Sequence, residues 1–235
     1  MSKTEYSPFK QTTIMKTKEV AAKRVFNLII VDESGSMSII RKQAFTGMNE
    51  TLQTVRQMQK KYPDQEQRVT LVTFDSDHTT WHYNDIPAQQ TTNLSWEAYS
   101  PCGATPLYDA MGTAISKVNA QVAKGDNVLV TVITDGEENS SQEWTLTMIR
   151  TMIEKLKKQH WTFTLIGTDN LDVEAMARSF AIDEHLEFHQ DVEGTRKMFE
   201  RERRSRERYC CCLAEERDMP VGSFFEDGDD VPDKA

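Results

Sequence analysis

The sequence VFNLIIV at residues 25–31 runs directly into DESGS at residues 32–36, and this junction decides the fold. An apolar run of this kind predicts a central parallel strand that is covered on both faces. At its carboxyl end stands a carboxylate, Asp32, followed by hydroxyls at alternate positions, Ser34 and Ser36. Open α/β sheets bind their ligands outside the carboxyl ends of the strands. The junction therefore predicts both a buried strand and a polar site at its end.

The rest of the chain alternates between strand-like and helix-like patterns. Further strands are predicted at residues 68–75, 78–83, 128–134, 162–167 and 185–189, and helices at residues 38–61, 107–123, 143–159 and 172–180. The segment 78–83 alternates along one face, which predicts an edge strand antiparallel to its predecessor. Gly125 is a predicted C-terminal cap of the second helix. The elements predict an α/β fold, a doubly wound (Rossmann-like), mostly parallel six-stranded sheet with one antiparallel edge strand and helices on both faces.

Two more polar loops are predicted to reach the same edge of the sheet. One carries Thr105 before Pro106, and the other carries Asp135 directly after a strand. Each has an ordinary explanation, since Thr-Pro is typical of a capped helix start and Asp-Gly of a turn. Taken together, the three loops supply only oxygen donors, which suit a hard divalent cation. We therefore predict a metal site formed by Asp32, Ser34, Ser36, Thr105 and Asp135.

These three loops resemble the metal-ion-dependent adhesion site of von Willebrand factor type A (vWA) domains. Residues 23–199 look like a complete domain of the compact bacterial stand-alone kind, and all five positions match the pattern of the site. The sequence departs from that pattern at Cys102-Gly103-Ala104, where two glycines often precede the threonine. The departure restricts the loop but removes no ligand.

The resemblance implies a role for each residue of the site. Ser34 and Ser36 would contact the metal directly, and Asp32 and Asp135 would act mainly through water. Thr105 would bind directly when a ligand is engaged and through water otherwise. The implied cofactor is Mg²⁺, with Mn²⁺ or Ca²⁺ as substitutes.

The resemblance also implies a partner. In vWA domains that use this site, one coordination position stays open for a carboxylate of another protein. We therefore expect a protein–protein interaction module that is not an enzyme and that binds an acidic residue of its partner through Mg²⁺. Stand-alone domains of this kind often serve as subunits beside an AAA+ ATPase or another operon-encoded subunit, in stress-response or phage-defence systems.

A metal-dependent hydrolase or phosphatase that uses Asp32 is the alternative function. An Asp at the end of a buried strand beside Mg²⁺ also serves aspartyl-phosphate chemistry. Enzymes of that kind usually have a second Asp two residues on, where this chain has Ser34, and a positioned lysine, which neither of the other metal loops supplies. The sequence also lacks a GxSxG nucleophile elbow here. These observations favour binding over catalysis.

Composition narrows the expected environment and partners. The formal net charge of -9 argues against a general nucleic-acid or anionic-membrane binder. No apolar run approaches the ~20 residues of a membrane span, and residues 1–24 lack the apolar stretch of a signal peptide. Four cysteines, three of them adjacent, do not form a disulfide framework. We therefore expect a cytoplasmic protein with neither a nucleic-acid nor a membrane partner.

The sequence outside the predicted domain divides into a polar N-terminal extension at residues 1–22, a charged helical extension at residues 200–213 and an acidic, flexible tail at residues 214–235. We interpret the charged extension as a solvated helix, with a basic face for an acidic partner as the alternative. Phe224-Phe225 is expected to pack back on the domain, with a docking motif as the alternative.

The sequence contains two groups of soft donors, and we predict a metal site at neither of them. Cys210, Cys211 and Cys212 are interpreted as inert thiols, because adjacent helical residues point in different directions; a soft-metal site and lipid attachment are the alternatives. His78 and His82 are interpreted as structural, because no other soft ligand lies near them in the sequence.

Overall fold

In the computed structural model of the chain, residues 23–217 and 219–226 are described. The predicted N-terminal extension and part of the acidic tail lie outside these residues. The strands are β1 (Lys23–Asp32), β2 (Gln65–Phe74), β3 (Thr79–Pro87), β4 (Asn127–Thr134), β5 (Trp161–Thr168) and β6 (Glu184–Phe188). The α-helices are α1 (Arg41–Lys61), α2 (Leu107–Asn119), α3 (Leu146–Leu156), α4 (Val173–Phe180) and α5 (Val192–Ala214).

The strands form one six-stranded sheet in the order β3-β2-β1-β4-β5-β6. Every neighbouring pair is parallel except β2 and β3, which run antiparallel at one edge. The predicted fold class is therefore confirmed. Because β1 pairs with β2 on one side and with β4 on the other, the chain changes direction across the sheet here. The loops that follow β1 and β4 consequently meet at the switch point where such sheets bind ligands.

The central position of β1 explains why its sequence is almost continuously apolar. Phe26, Leu28 and Ile30 pack in the core beneath α2, α3 and α4. On the opposite face, Val25 and Ile29 pack in the core beneath α1 and α5. Both faces of the strand are thus removed from water, and apolar burial on this scale is the main favourable contribution to folding.

Several helix ends differ from the sequence prediction. A 3₁₀ segment, Gly35–Ile40, precedes α1, so the α-helix begins at Arg41. Helix α2 ends at Asn119, and the predicted cap at Gly125 is wrong, because the Asp126 carboxylate accepts a hydrogen bond from the Ala123 amide (2.6 Å) and draws the chain into a turn. Periodicity does not report such local side-chain bonds.

The predicted helix at residues 143–159 is shorter in the structure. Helix α3 begins at Leu146, after Thr145, whose hydroxyl accepts from the Met148 amide. Asp172 is the N-terminal cap of α4, because its carboxylate accepts from the Ala175 amide at 2.9 Å.

Helix α5 runs without a break across residue 199, where the predicted domain ends. Its charged stretch is not simply solvated, because Glu202 and Arg206 are completely buried against the sheet. The Arg206 guanidinium pairs with Glu202 and donates to Asn27 Oδ1 (2.6 Å) and Thr131 Oγ1 (3.0 Å). The interpretation of this stretch as a solvated helix is therefore wrong for the face that covers β1 and β4.

The segment after α5 folds back on the domain. Phe224 and Phe225 are buried, and their rings contact each other edge to face with centroids 4.9 Å apart. This confirms the expectation that the pair packs on its own domain. Cys210 and Cys212 are also buried, and all three adjacent thiols are free. Among the described residues, no helix combines the length and apolar character that crossing a membrane requires.

Candidate metal centre

The carboxylate of Asp32 is fixed by its own loop and by the neighbouring strand. Its Oδ1 accepts the Ser34 amide at 2.7 Å, and its Oδ2 accepts the Thr134 hydroxyl at 2.6 Å. The side chain is fully buried. The backbone carbonyl of Asp32 accepts the buried Tyr99 hydroxyl at 2.7 Å. The end of β1 is thus held rigidly from two sides.

The first and third predicted metal loops meet through their side chains. Ser36 Oγ donates to Asp135 Oδ1 at 2.7 Å and lies 3.2 Å from Ser34 Oγ. The other oxygen of Asp135 accepts from Gln190 Nε2 at 2.5 Å. Residues far apart in the chain are therefore brought into direct contact, as the strand-end placement predicts.

Thr105 belongs to the same group and is positioned by the third loop. Its amide donates to Asn139 Oδ1 (2.8 Å), and its carbonyl accepts the Asn139 amide (3.1 Å). This reciprocal pair joins the second metal loop to the third. Thr105 is buried, which places its hydroxyl inside the rim that the three metal loops form at the carboxyl edge of the sheet, rather than on the open surface.

The alternative interpretation of Thr105 as a helix cap is wrong. Pro106 occupies the N-cap position of α2 and makes no capping bond from its side chain. The third loop caps the helix instead, because Glu138 Oε2 accepts the Tyr108 amide at 2.9 Å. The Thr105 hydroxyl is consequently not needed to cap α2.

The space between the three loops lies at Gly136. A methyl group placed on Gly136 would lie 3.1 Å from Thr105 Oγ1 and 3.8 Å from both Asp32 Oδ2 and Ser36 Oγ. Two oxygens of the first loop and one of the second therefore lie around a point beside Gly136 of the third loop. This volume and its all-oxygen lining fit a small hard cation.

The electrostatics of the rim favour a bound cation. Burial raises the pKa of Asp32 to about 6, and the nearby charge of Asp135 adds to the rise. Burial likewise raises the pKa of Asp135. No cationic side chain contributes to lowering either pKa among the described residues. Two buried carboxylates without a positive partner are costly to ionise, and a divalent cation would remove that cost.

Three residues outside the predicted set position the residues of the site. Gln190 orients Asp135, Asn139 positions Thr105, and Glu138 caps α2. Glu138 and Asn139 stand in the same motif as Asp135, so their nearness to the site was readable from the sequence. Gln190 follows β6 by two residues, and its position at the carboxyl edge of a strand was the signal available.

Comparison with known proteins identifies the family. The von Willebrand factor type A domain profile matches residues 28–204 of the chain. The chain belongs to the von Willebrand factor type A family. All five predicted site residues lie within the matched segment of this vWA domain. No curated protein sequence matches the chain significantly.

Solved structures with similar folds come from diverse proteins. The vWF domain of the type V pili tip protein Mfa5 from Porphyromonas gingivalis is 10% identical, with a TM-score of 0.58 over 86% of this chain and 98% of that chain. The SpRpn10 VWA domain is 11% identical, with a TM-score of 0.52 over 75% of this chain and 93% of that chain.

Proximal thread matrix protein 1 from the mussel byssus is 16% identical, with a TM-score of 0.53. That match covers 81% of this chain, which spans about half (46%) of the byssus protein. At these identities the likenesses show the shared fold alone.

Proposed function

We propose that this vWA domain is a non-enzymatic protein-binding module whose rim binds Mg²⁺ and, through it, an acidic residue of a partner protein. The observation that carries the proposal is the convergence of Thr105, Asp32 and Ser36 oxygens around Gly136. vWA domains generally mediate protein–protein interactions, which supports the binding class. The metal, the acidic residue and the partner are the parts that we propose.

The donor set explains how the rim would bind metal and still attract a carboxylate. Ser34, Ser36 and Thr105 would supply neutral hydroxyl oxygens, and Asp32 and Asp135 would act through water. When bound, Mg²⁺ supplies an electrophilic position that a partner carboxylate can occupy. Neutral ligands leave the charge of a cation largely uncompensated, whereas direct contacts from both carboxylates would cancel it. Mn²⁺ and Ca²⁺ are proposed as substitutes, and zinc and copper are not preferred here because the rim lacks soft donors.

Metal binding is tested by calorimetric titration of the full chain with MgCl₂ at pH 7.5. We expect one site in the wild type and loss of the heat in Ser36→Ala. Ser38→Ala is the matched control, since Ser38 is exposed two residues further along the same segment and is not among the rim oxygens. Equal heats from Ser36→Ala and Ser38→Ala would contradict the proposal.

The partner is sought by affinity capture from the native host with Mg²⁺ or with EDTA. A partner that follows this mechanism is retained in Mg²⁺ and lost in EDTA. Moderate salt should leave binding intact, because a direct metal–carboxylate bond is screened far less than long-range charge. Changing the contacting Glu or Asp of the partner to Gln or Asn should abolish capture. Undiminished capture of that variant would mean that the metal is not the bridge.

The cellular setting belongs to the same proposal. We place this domain in the cytoplasm as the compact bacterial stand-alone type, as a subunit beside an AAA+ ATPase or another operon-encoded protein. Neither nucleic acid nor a membrane is proposed as a partner, because the chain is acidic overall. Co-purification of an ATPase subunit in the capture experiment is the direct check.

Hydrolysis by Asp32 is the alternative function, and its geometry is less favourable. Both carboxylate oxygens of Asp32 already accept short hydrogen bonds, from Ser34 and Thr134. Such bonds stabilise the carboxylate and weaken it as a nucleophile. Phosphate release from an aryl phosphate by the wild type, absent in Asp32→Asn, would establish the alternative.

A further inference from the structure

A row of side chains leads outward from the rim, here called the Ile39 stripe. It contains Ser36, Ile39, Lys42, Phe45 and Trp96. In the 3₁₀ segment that begins the stripe, Met37 and Ile40 are buried in the core, whereas Ser36 and Ile39 are exposed. Side chains three residues apart eclipse each other in a 3₁₀ helix, so Ile39 lies beyond Ser36, about 6 Å along the segment. Ile39 is 72% exposed, which presents a large apolar side chain beside the proposed metal position.

The same three-residue spacing continues into α1. Lys42 and Phe45 follow Ile39 at steps of three, and side chains three apart are neighbours on the surface of a helix. Lys42 is exposed and Phe45 is half-buried. The first turn of α1 contains no acidic residue. The stripe therefore passes from a rim hydroxyl to an apolar, then a cationic and then an aromatic side chain.

Trp96 ends the stripe and is held in a fixed orientation. Its ring meets Phe45 edge to face with centroids 5.2 Å apart, and the Arg41 guanidinium lies 4.3 Å from its ring centroid. Arg41 also donates to the Tyr99 carbonyl (2.9 Å), and the Tyr99 hydroxyl donates to the Asp32 carbonyl (2.7 Å). Trp96 is 41% exposed. An indole that is already ordered loses little side-chain entropy when a partner covers it, and tryptophan is enriched among the residues that dominate interface energies.

We propose that the Ile39 stripe receives the partner segment that carries the metal-bound carboxylate, an inference that rests on the proposed function of the rim. Alternate side chains of an extended segment share one face and repeat at about 6.6 Å. Along the stripe, Ile39 lies about 6 Å and Lys42 about 11 Å from Ser36, given rises of about 2.0 and 1.5 Å per residue. The sequence that fits is acidic–x–apolar–x–acidic, with its first acid on the metal, its apolar residue on Ile39 and its second acid at Lys42.

The charges of the stripe favour an acidic segment over a basic one. Lys42 and a bound Mg²⁺ are both cationic, whereas the whole chain carries a formal net charge of -9. An acidic segment is therefore attracted at the stripe and repelled by most of the remaining surface, so that local charge fixes its position. Ile39 and Trp96 supply the apolar contact area beside these charges.

The test measures binding of fluorescein-labelled peptides to the full chain in MgCl₂ by fluorescence anisotropy. The parent peptide is Gly-Gly-Asp-Gly-Leu-Gly-Glu-Gly; a second peptide has Ser in place of Leu, and a third has Asn in place of Asp. We expect the parent to bind at least about tenfold more tightly than the Ser peptide, because its Leu side chain leaves water. In Ile39→Ser this preference should disappear, while the calorimetric heat of Mg²⁺ binding stays unchanged.

Val221→Ser is the matched control and should keep the preference for the parent peptide. Val221 is 80% exposed, and the next residue, Gly222, bonds Glu184 at the start of β6, the opposite edge of the sheet from the rim. Lys42→Gln should weaken binding of the parent but not of a peptide with Gln in place of Glu.

Equal binding of the parent and Ser peptides to the wild type, or an undiminished preference in Ile39→Ser, would overturn the inference and leave the metal bridge standing. Absence of parent binding in MgCl₂ would overturn it as well. An Asn peptide that binds as tightly as the parent, or parent binding that persists in EDTA, would contradict the metal bridge and the inference with it.

Discussion

Two polar clusters lie against β1, and all of their residues except Ser36 are buried. The first, here called the metal rim, contains Asp32, Ser34, Ser36, Thr105 and Asp135 at the carboxyl end of the sheet. The second, here called the α5 cluster, contains Asn27, Thr131, Glu202 and Arg206 beneath α5. In the α5 cluster the guanidinium faces a carboxylate and two further oxygens, so charge is balanced within the protein. The metal rim has two carboxylates and no such balance.

The comparison separates two kinds of buried polar group: those that stabilise the fold by pairing with each other, and those that are left to pair with a ligand. A buried polar group is tolerated when its partners are built in. Where the built-in partner is absent, the native state bears an electrostatic cost that a ligand can relieve. Removing the cation of the α5 cluster should therefore destabilise the protein, whereas removing a carboxylate of the rim should stabilise the metal-free protein.

The largest expected effect follows removal of the positive charge from the α5 cluster. Arg206→Met should lower the free energy of unfolding by about 3–5 kcal/mol, because Glu202 is left charged and buried without a partner. Urea denaturation followed by circular dichroism measures this change. Arg203→Met is the control, since its pair with Glu207 is partly exposed and should contribute less than about 1 kcal/mol.

The double variant Glu202→Leu/Arg206→Met sharpens the same comparison. We expect it to recover most of the lost stability, because an apolar pair removes both charges. A double variant as unstable as Arg206→Met would show that Asn27 and Thr131, rather than Glu202, account for the loss.

At the metal rim we expect a substitution to raise the free energy of unfolding rather than lower it. Asp32→Asn should raise the free energy of unfolding of the metal-free protein at pH 7.5 by about 1–3 kcal/mol, because a buried negative charge is removed. The same variant should lose all stabilisation by MgCl₂. Thermal denaturation with and without MgCl₂ measures both effects, and the exposed Asp64→Asn serves as the control.

The pH dependence of stability follows from the same carboxylate. The pKa of Asp32 is raised in the folded state, so the folded chain holds a proton that the unfolded chain has released. The contribution of Asp32 to stability is therefore greatest below about pH 4 and decreases as pH rises to about 6. Comparison of the metal-free wild type with Asp32→Asn across this range isolates the contribution. Parallel curves for the two proteins would contradict it.

A smaller effect is expected when the space in the rim is filled. Gly136→Ala should weaken Mg²⁺ binding at least tenfold, about 1.4 kcal/mol, because its Cβ would lie among the rim oxygens. Gly35→Ala is the control in the same rim, since its Cβ would meet its nearest atom at an ordinary 3.4 Å. Calorimetry compares the two variants. If Gly35→Ala were the weaker binder, the cation would not lie beside Gly136.

The smallest effect is expected at Gln190. Gln190→Leu removes one hydrogen bond to Asp135, which is worth about 0.5–1.5 kcal/mol, so Mg²⁺ affinity should fall between about two- and tenfold. The titration used for Gly136→Ala measures this change. Unchanged affinity would mean that Ser36 alone orients Asp135.

Most of the fold class could be predicted from the sequence, because strongly apolar segments alternate with helical ones and this alternation indicates a mostly parallel sheet. The antiparallel position of β3 and the placement of Asp32 and Asp135 at one edge were likewise readable. The ends of α2 and α3 were not, because local side-chain bonds from Asp126 and Thr145 set them. Periodicity contains no information on those bonds.

Contacts between distant segments of the chain could not be predicted from the sequence either. The charged sequence of α5 indicates a solvated helix, but Arg206 faces Asn27 from 179 positions away. The deciding partner lies on another element, which no local pattern reveals.

The bond between Arg206 and Asn27 also bears on how the chain is made. Synthesis releases β1 early and α5 late, and in the interval Asn27 and Thr131 have neither the guanidinium nor the helix that covers them. The central strand can pair with its neighbours during that time, but one of its faces stays open to water. Completion of the domain on the ribosome therefore waits until the residues of α5 have left the exit tunnel.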